Sequence, residues 1–290
     1  MGSAPAAPAS RLRSRVTVLA VAAAAAVALG SLTAAPASAA TPGCTLTPTG
    51  GTVTRVLGAR TYLLHVPAGL SGTEVPLLLS LHGFGSNGSQ DELNTGWSAF
   101  ADAHGFIVAY PQGQGSAWSG AWDPYTAGTP DVAFLRQVVS DISSRWCVDP
   151  KHVHVDGWSN GAVMSQRAAC DAAETFASVT SYGGGTPAPP GAAPCRPTRP
   201  ISVGLFVGQE DFTFAGLQQN ADEWRGYDGC SSAPAHTTDQ YGTLDTYGCA
   251  AGTTLLARVV SNTSHNWPFG AQGEDQRNRM WAFFQANALP

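Results

Sequence analysis

The sequence predicts an α/β fold: a mostly parallel, twisted sheet with helices on both faces. Three observations carry that prediction. Short apolar runs bounded by Gly and Pro recur along the chain, in the manner of buried strands. Stretches with helical spacing of apolar residues alternate with them. One apolar run, His152-Val153-His154-Val155-Asp156, leads through Gly157-Trp158-Ser159-Asn160-Gly161 into a helix-like segment, Gly161 to Ala169. A strand, a sharp turn and a helix in that order is the unit from which parallel sheets are built.

The elements follow in order. Residues 1–39 are expected to be a secretory leader and 40–290 a single domain. Arg11, Arg13 and Arg15 precede an apolar Val16–Leu29 run, and Ala37-Ser38-Ala39 offers a small-residue cleavage site. Strands are expected at Tyr62–Val66, Val75–Leu81 and Phe106–Tyr110. A helix is expected over Gln90–His104, with Leu93, Trp97, Phe100 and Ala101 on one face. A long loop, Pro111–Pro130, is rich in Gly, Ser and Trp. Asp131 reads as the N-cap of a helix whose apolar face is Val132, Leu135, Val138, Val139 and Ile142. Val153–Val155 enters the turn. Ala177–Tyr182, Ile201–Val207 and Leu255–Val260 read as strands, and Leu217–Tyr227 and Asp275–Ala288 as helices.

Charge narrows the partners. The chain carries 15 basic and 20 acidic residues. Without the leader arginines the balance is more acidic still, which disfavours nucleic acid and anionic membranes. No metal or organic cofactor is expected, and a monomer is. All six cysteines follow the leader. An even number in an exported chain points to disulfides, expected as Cys230–Cys249, Cys170–Cys195 and Cys44–Cys147, although spacing does not settle connectivity.

Gly-x-Ser-x-Gly between a strand and a helix is the nucleophile elbow of α/β-hydrolases. Serine is a weak nucleophile at neutral pH and needs a base, and that base needs an acid to fix its tautomer. In this fold the order is serine, acid, histidine, each after a strand. Ser159 is then the nucleophile, Asp211 the acid after Ile201–Val207, and His265 the base after Leu255–Val260. Glu210 stands beside Asp211 as an alternative acid. His236 lacks a preceding strand, and His152 with His154 lacks the further ligands of a metal site. Oxyanion donors are expected from the Asn160 N–H and, after Val75–Leu81, from the Phe84 N–H in His82-Gly83-Phe84-Gly85. His82 itself reads as structural.

With these residues in place, the chain resembles the polyhydroxybutyrate depolymerase-like esterases, which include feruloyl and acetylxylan esterases of carbohydrate esterase family one. The resemblance rests on His82-Gly83, Tyr110-Pro111-Gln112-Gly113, Asp131-Val132-Ala133-Phe134, Cys147-Val148-Asp149-Pro150, Gly157-Trp158-Ser159-Asn160-Gly161, Tyr247-Gly248-Cys249 and His265-Asn266-Trp267-Pro268. It implies Ser159 as nucleophile, Asp211 as acid and His265 as base. Two positions depart from the family pattern: Val207-Gly208-Gln209-Glu210-Asp211 replaces a His-Gly-Thr-x-Asp acid loop, and Ser264 replaces a glycine before the histidine.

Aromatic residues near these positions, Trp158, Trp267, Phe212 and Trp118, are expected to bind substrate, with Phe84, Phe214, Trp122 and Tyr125 nearby. The expected activity is that of a secreted serine ester hydrolase acting on plant-wall esters. The same chemistry on polyhydroxyalkanoate or acetylated xylan is the alternative, and a non-catalytic carbohydrate-binding protein is the reading from another class. The absence of a threonine-rich linker and binding module in these residues favours wall esters.

Overall fold

The computed structural model describes residues 1–2, 47–70, 74–114 and 120–290. The described residues from 47 onward belong to one compact unit. Apart from its first two residues the expected leader lies outside the described residues, as do Cys44 and Trp118.

Ten strands form one sheet in the order β1-β2-β4-β3-β5-β6-β7-β10-β9-β8. They are β1 (Thr52–Leu57), β2 (Arg60–His65), β3 (Val75–Leu81), β4 (Ile107–Pro111), β5 (Val148–Gly157), β6 (Ser178–Tyr182), β7 (Ser202–Gly208), β8 (Ala235–Asp239), β9 (Gly242–Gly248) and β10 (Thr254–Val260). The central block from β4 through β10 is parallel. The antiparallel pairs lie at the two edges. The helices are α1 (Gly88–Thr95), α2 (Trp97–His104), α3 (Pro130–Ser143), α4 (Asn160–Asp171), α5 (Leu217–Asp228) and α6 (Gly270–Ala286).

The strand period of two divides the central residues between two cores. Leu77, Leu79 and Leu81 point to the side where Val132, Leu135, Met164, Ala168 and Trp224 of α3, α4 and α5 pack. Leu78, Val108, Tyr110 and Phe206 point to the other side, against Trp97 and Phe100 of α2 and Met280, Trp281 and Phe284 of α6. The central strands are therefore apolar on both faces, which is why they read as continuous apolar runs.

Several expectations need correction. The single helix over 90–104 is two helices, because Gly96 adopts φ 66° and ends α1 while starting α2. Leu93 consequently faces solvent, at 78% exposure. Asp131 does not cap α3; the Thr129 hydroxyl accepts the Asp131 N–H. The Asp131 carboxylate pairs instead with Arg60 at 2.6 Å and accepts the Asp123 N–H at 2.7 Å. His236, read without a strand before it, itself lies on strand β8. Two expected disulfides form, Cys170–Cys195 and Cys230–Cys249.

Candidate active site

The site is built at the carboxyl ends of β3, β5, β6, β7 and β10. At the end of β5 the chain must reverse within a few residues into α4. Ser159 takes φ 57° and ψ −118°, a conformation that L-residues seldom adopt. Two backbone bonds hold it there: Trp158 N–H donates to Leu81 O at 3.1 Å and Ser159 N–H to Tyr182 O at 2.9 Å. The flanking glycines are obligatory. A Cβ on Gly157 would lie 2.2 Å from Gly161 O, and one on Gly161 would lie 2.0 Å from Leu81 O. The strained turn thus presses strand, helix and the neighbouring β3 together, and the serine hydroxyl projects from the crest.

His265 meets that hydroxyl. Its Nε2 lies 2.8 Å from Ser159 Oγ. Its Nδ1 lies 3.0 and 2.9 Å from the two carboxylate oxygens of Asp211. A carboxylate only accepts, so Nδ1 carries the proton and Nε2 accepts from the serine. The Asp211 carboxylate is fully buried and His265 partly exposed. Thr213 donates to Asp211 Oδ1 twice, from its N–H and its hydroxyl, both at 2.8 Å. The loops bearing acid and base are stitched together: Gln209 N–H donates to Val260 O at 2.8 Å and Glu210 N–H to Thr263 O at 2.9 Å. These bonds continue the β7–β10 pairing past the strand ends. Glu210, the alternative acid, is exposed, and Asp211 is the carboxylate that bonds His265.

Gly183, which no sequence pattern marked, and Trp122, expected only as a nearby aromatic, complete the arrangement. Gly183, at φ 65°, leaves room for the acid–base pair; a Cβ there would stand 2.9 Å from Asp211 Oδ2 and 3.3 Å from His265 Nδ1. The Trp122 indole N–H donates to His82 O at 2.9 Å. Its backbone N–H donates to Asn160 Oδ1 at 2.7 Å, and Asn160 Nδ2 donates back to Trp122 O at 3.3 Å. Trp122 therefore ties the Phe84 loop to the residue after Ser159. Only the tryptophan content of the 111–130 loop hinted at this, since the partners are 38 residues apart.

The expected aromatic contacts divide. Phe212 packs its ring 4.3 Å from that of His265 and is 77% exposed. Phe84 is 70% exposed. Trp158 is half-buried, with its ring 5.7 Å from His265. Trp267 is corrected from the cleft to the core: it is 2% exposed, with its ring 5.3 Å from that of Tyr182. Trp118 lies outside the described residues. His152 bonds Asp149, and His154 is buried against Phe284 with its Nδ1 2.9 Å from Ser178 Oγ. Burial pushes the His154 pKa down to about 3. No cluster of metal-binding residues occurs among the described residues.

Comparison with known proteins gives a partial family likeness. Residues 60–188 match the family described as Esterase PHB depolymerase. Over that stretch, less than half of its length, the chain is similar to this family. The match covers the Phe84 loop and the Ser159 elbow but stops short of Asp211 and His265, which the geometry alone brings beside Ser159. The putative esterase NocK of Nocardia uniformis is 38% identical over 184 residues, 61% of this chain and 49% of its own. Feruloyl esterase B of Piromyces equi is 26% identical over 260 residues, 80% of this chain and 46% of its own. Poly(3-hydroxyalkanoate) depolymerase C of Paucimonas lemoignei is 32% identical over 127 residues, 42% of this chain and 30% of its own. The chain thus spans half or less of the length of these relatives. The solved acetyl xylan esterase from Aspergillus awamori superposes with a TM-score of 0.65 at 18% identity, covering 81% of this chain and 98% of that one. At that identity the likeness speaks for the fold.

Proposed function

We propose that this chain is a secreted serine carboxylic-ester hydrolase that works through an acyl-enzyme. The observation that carries the reading is the unbroken relay Ser159 Oγ, His265 Nε2, His265 Nδ1, Asp211, with each link at 2.8–3.0 Å. Ser159 Oγ attacks the ester carbonyl carbon while His265 Nε2 takes its proton. The carbonyl oxygen becomes an oxyanion, stabilised by the N–H groups of Asn160 and Phe84. The C–O bond to the alcohol then breaks, and His265 returns the proton to the departing oxygen. Water, activated by the same imidazole, hydrolyses the acyl-serine. Asp211 holds the imidazole in the working tautomer and stabilises the imidazolium. The test is turnover of p-nitrophenyl acetate by the wild type and by Ser159→Ala. An inert wild type, or equal rates, overturns the reading.

For the substrate we propose hydroxycinnamoyl esters of wall polysaccharide, in keeping with the likeness to a feruloyl esterase. The exposed Phe212 and Phe84 rings, the first tilted against the His265 ring, offer apolar faces to a phenolic acyl group. The same exposed faces favour a second reading, a polyester chain. Methyl ferulate, acetylxylan and polyhydroxybutyrate film, assayed in parallel, separate these. Export is supported by the Arg11–Ala39 leader pattern and the two disulfides. N-terminal sequencing of secreted protein tests it: a start near Ala40 is expected, and retention of Met1 counts against it.

A further inference from the structure

The proposed mechanism needs the Phe84 N–H aimed at Ser159, and the structure contains the group that aims it. His82 is fully buried at the end of β3. Its Nε2 accepts the Gly113 N–H at 3.0 Å and lies 3.2 Å from the Gln112 side-chain nitrogen. Gln112 Oε1 accepts the Gly88 N–H, which fixes that nitrogen as a donor. Both neighbours of Nε2 therefore donate, so the ring proton sits on Nδ1. Nδ1 lies 2.8 Å from Gly83 O, which also accepts the Ser86 N–H at 3.2 Å. Burial lowers the His82 pKa, against the raising pull of the Gly83 carbonyl and with Arg60 adding to the effect.

A trans peptide points its C=O and N–H in opposite directions. Holding Gly83 O toward His82 thus turns the Phe84 N–H the other way. This peptide runs directly over the nucleophile: a Cβ on Gly83 would lie 3.0 Å from the Trp158 ring and 3.4 Å from Ser159 Cβ. Among the described residues the Phe84 N–H has no acceptor. We propose, on the serine-hydrolase reading above, that His82 is a positioning residue of the oxyanion hole. Its Nδ1–H grips Gly83 O and so presents the Phe84 N–H to the oxyanion formed at Ser159.

Two variants separate this from a merely structural role. His82→Asn keeps a donor near the Nδ1 position and loses the acceptor for Gly113. His82→Gln keeps an acceptor near the Nε2 position and loses the donor to Gly83. The expected result is a kcat for p-nitrophenyl acetate about 10²-fold lower in His82→Gln, the scale of a lost oxyanion donor, with KM little changed and His82→Asn close to wild type. Equal losses in both, or the reverse order, overturn the proposal. If neither variant folds, ¹⁵N–¹H correlation of the wild-type imidazole decides: Nδ1–H supports the proposal and Nε2–H overturns it. An active wild type with a dead Ser159→Ala and an undiminished His82→Gln refutes only this proposal. An inert wild type refutes the hydrolase reading itself.

Discussion

Gly183 shows how little room the acid–base pair has. Its φ of 65° and the 2.9 Å gap to Asp211 Oδ2 mean that a methyl group there must displace the carboxylate or the imidazole. Gly183→Ala is expected to lower kcat by about 10²-fold, the usual consequence of moving a reacting group by about 1 Å. The check is steady-state kinetics beside a melting curve; unchanged kcat would mean that Asp211 moves without loss. Thr213 acts on the same carboxylate by two bonds, so Thr213→Val is expected to reduce kcat without abolishing it. Of this neighbourhood, Ser159, Asp211 and His265 were legible because each follows a strand in a fixed order. Gly183, Thr213 and Trp122 were not, because no local pattern ties them to their partners. Trp267 misled because a tryptophan beside the base suits a cleft wall as well as a core, and only packing against Tyr182 separates the two.

At the level of elements, the central strands were readable from apolar runs with two buried faces, and their limits shifted by a few residues. The edge strands were not. β8 is exposed throughout its length, so its sequence, Ala-His-Thr-Thr-Asp, carries no burial pattern. The α1–α2 break was hidden in the same way: a glycine inside a helical pattern is tolerated often enough that only its φ reveals the hinge. Gly96→Ala places an L-residue in the left-handed region and is expected to cost about 1 kcal/mol, measured by denaturant titration with activity per folded molecule unchanged. Gly157→Ala and Gly161→Ala differ in kind. Their Cβ atoms would fall 2.2 and 2.0 Å from backbone oxygens, and failure to fold, seen as insoluble expression, is the expected outcome.

The whole molecule carries an interior charge problem directly behind the site. Asp156, one residue before Gly157, is buried with bonds from the Trp97 indole at 2.9 Å and the Thr180 hydroxyl at 2.8 Å. Asp91 is buried nearby and accepts from Ser80 Oγ at 2.7 Å. Burial, helped by the Asp156 charge, pushes Asp91 up to about 7, and burial pushes Asp156 up to about 6. Both values stand above the ~4 of an unfolded carboxyl. At these two carboxyls the folded chain therefore holds more protons than the unfolded chain between about pH 4 and pH 7. Their contribution to stability is complete below that window and is lost as pH rises through it. Asp91→Asn keeps an acceptor for Ser80 without the charge. It is expected to raise the melting temperature more at pH 8 than at pH 5, and an equal change at both would argue against an ionising interior.

The direction of the strands gives the molecule two ends of different character. Ser159, Asp211, His265 and the Phe84 loop all lie where parallel strands finish. The Ser231–Ala233 bend lies where they start: it leads into Ala235, paired across β9 to Thr246 and onward to Leu256, and its base is pinned by Cys230–Cys249. The bend is exposed and anchored by covalent bonds rather than by the chemistry. An enzyme immobilised on a solid support through that bend would hold its mouth outward, toward whatever surface is brought to it.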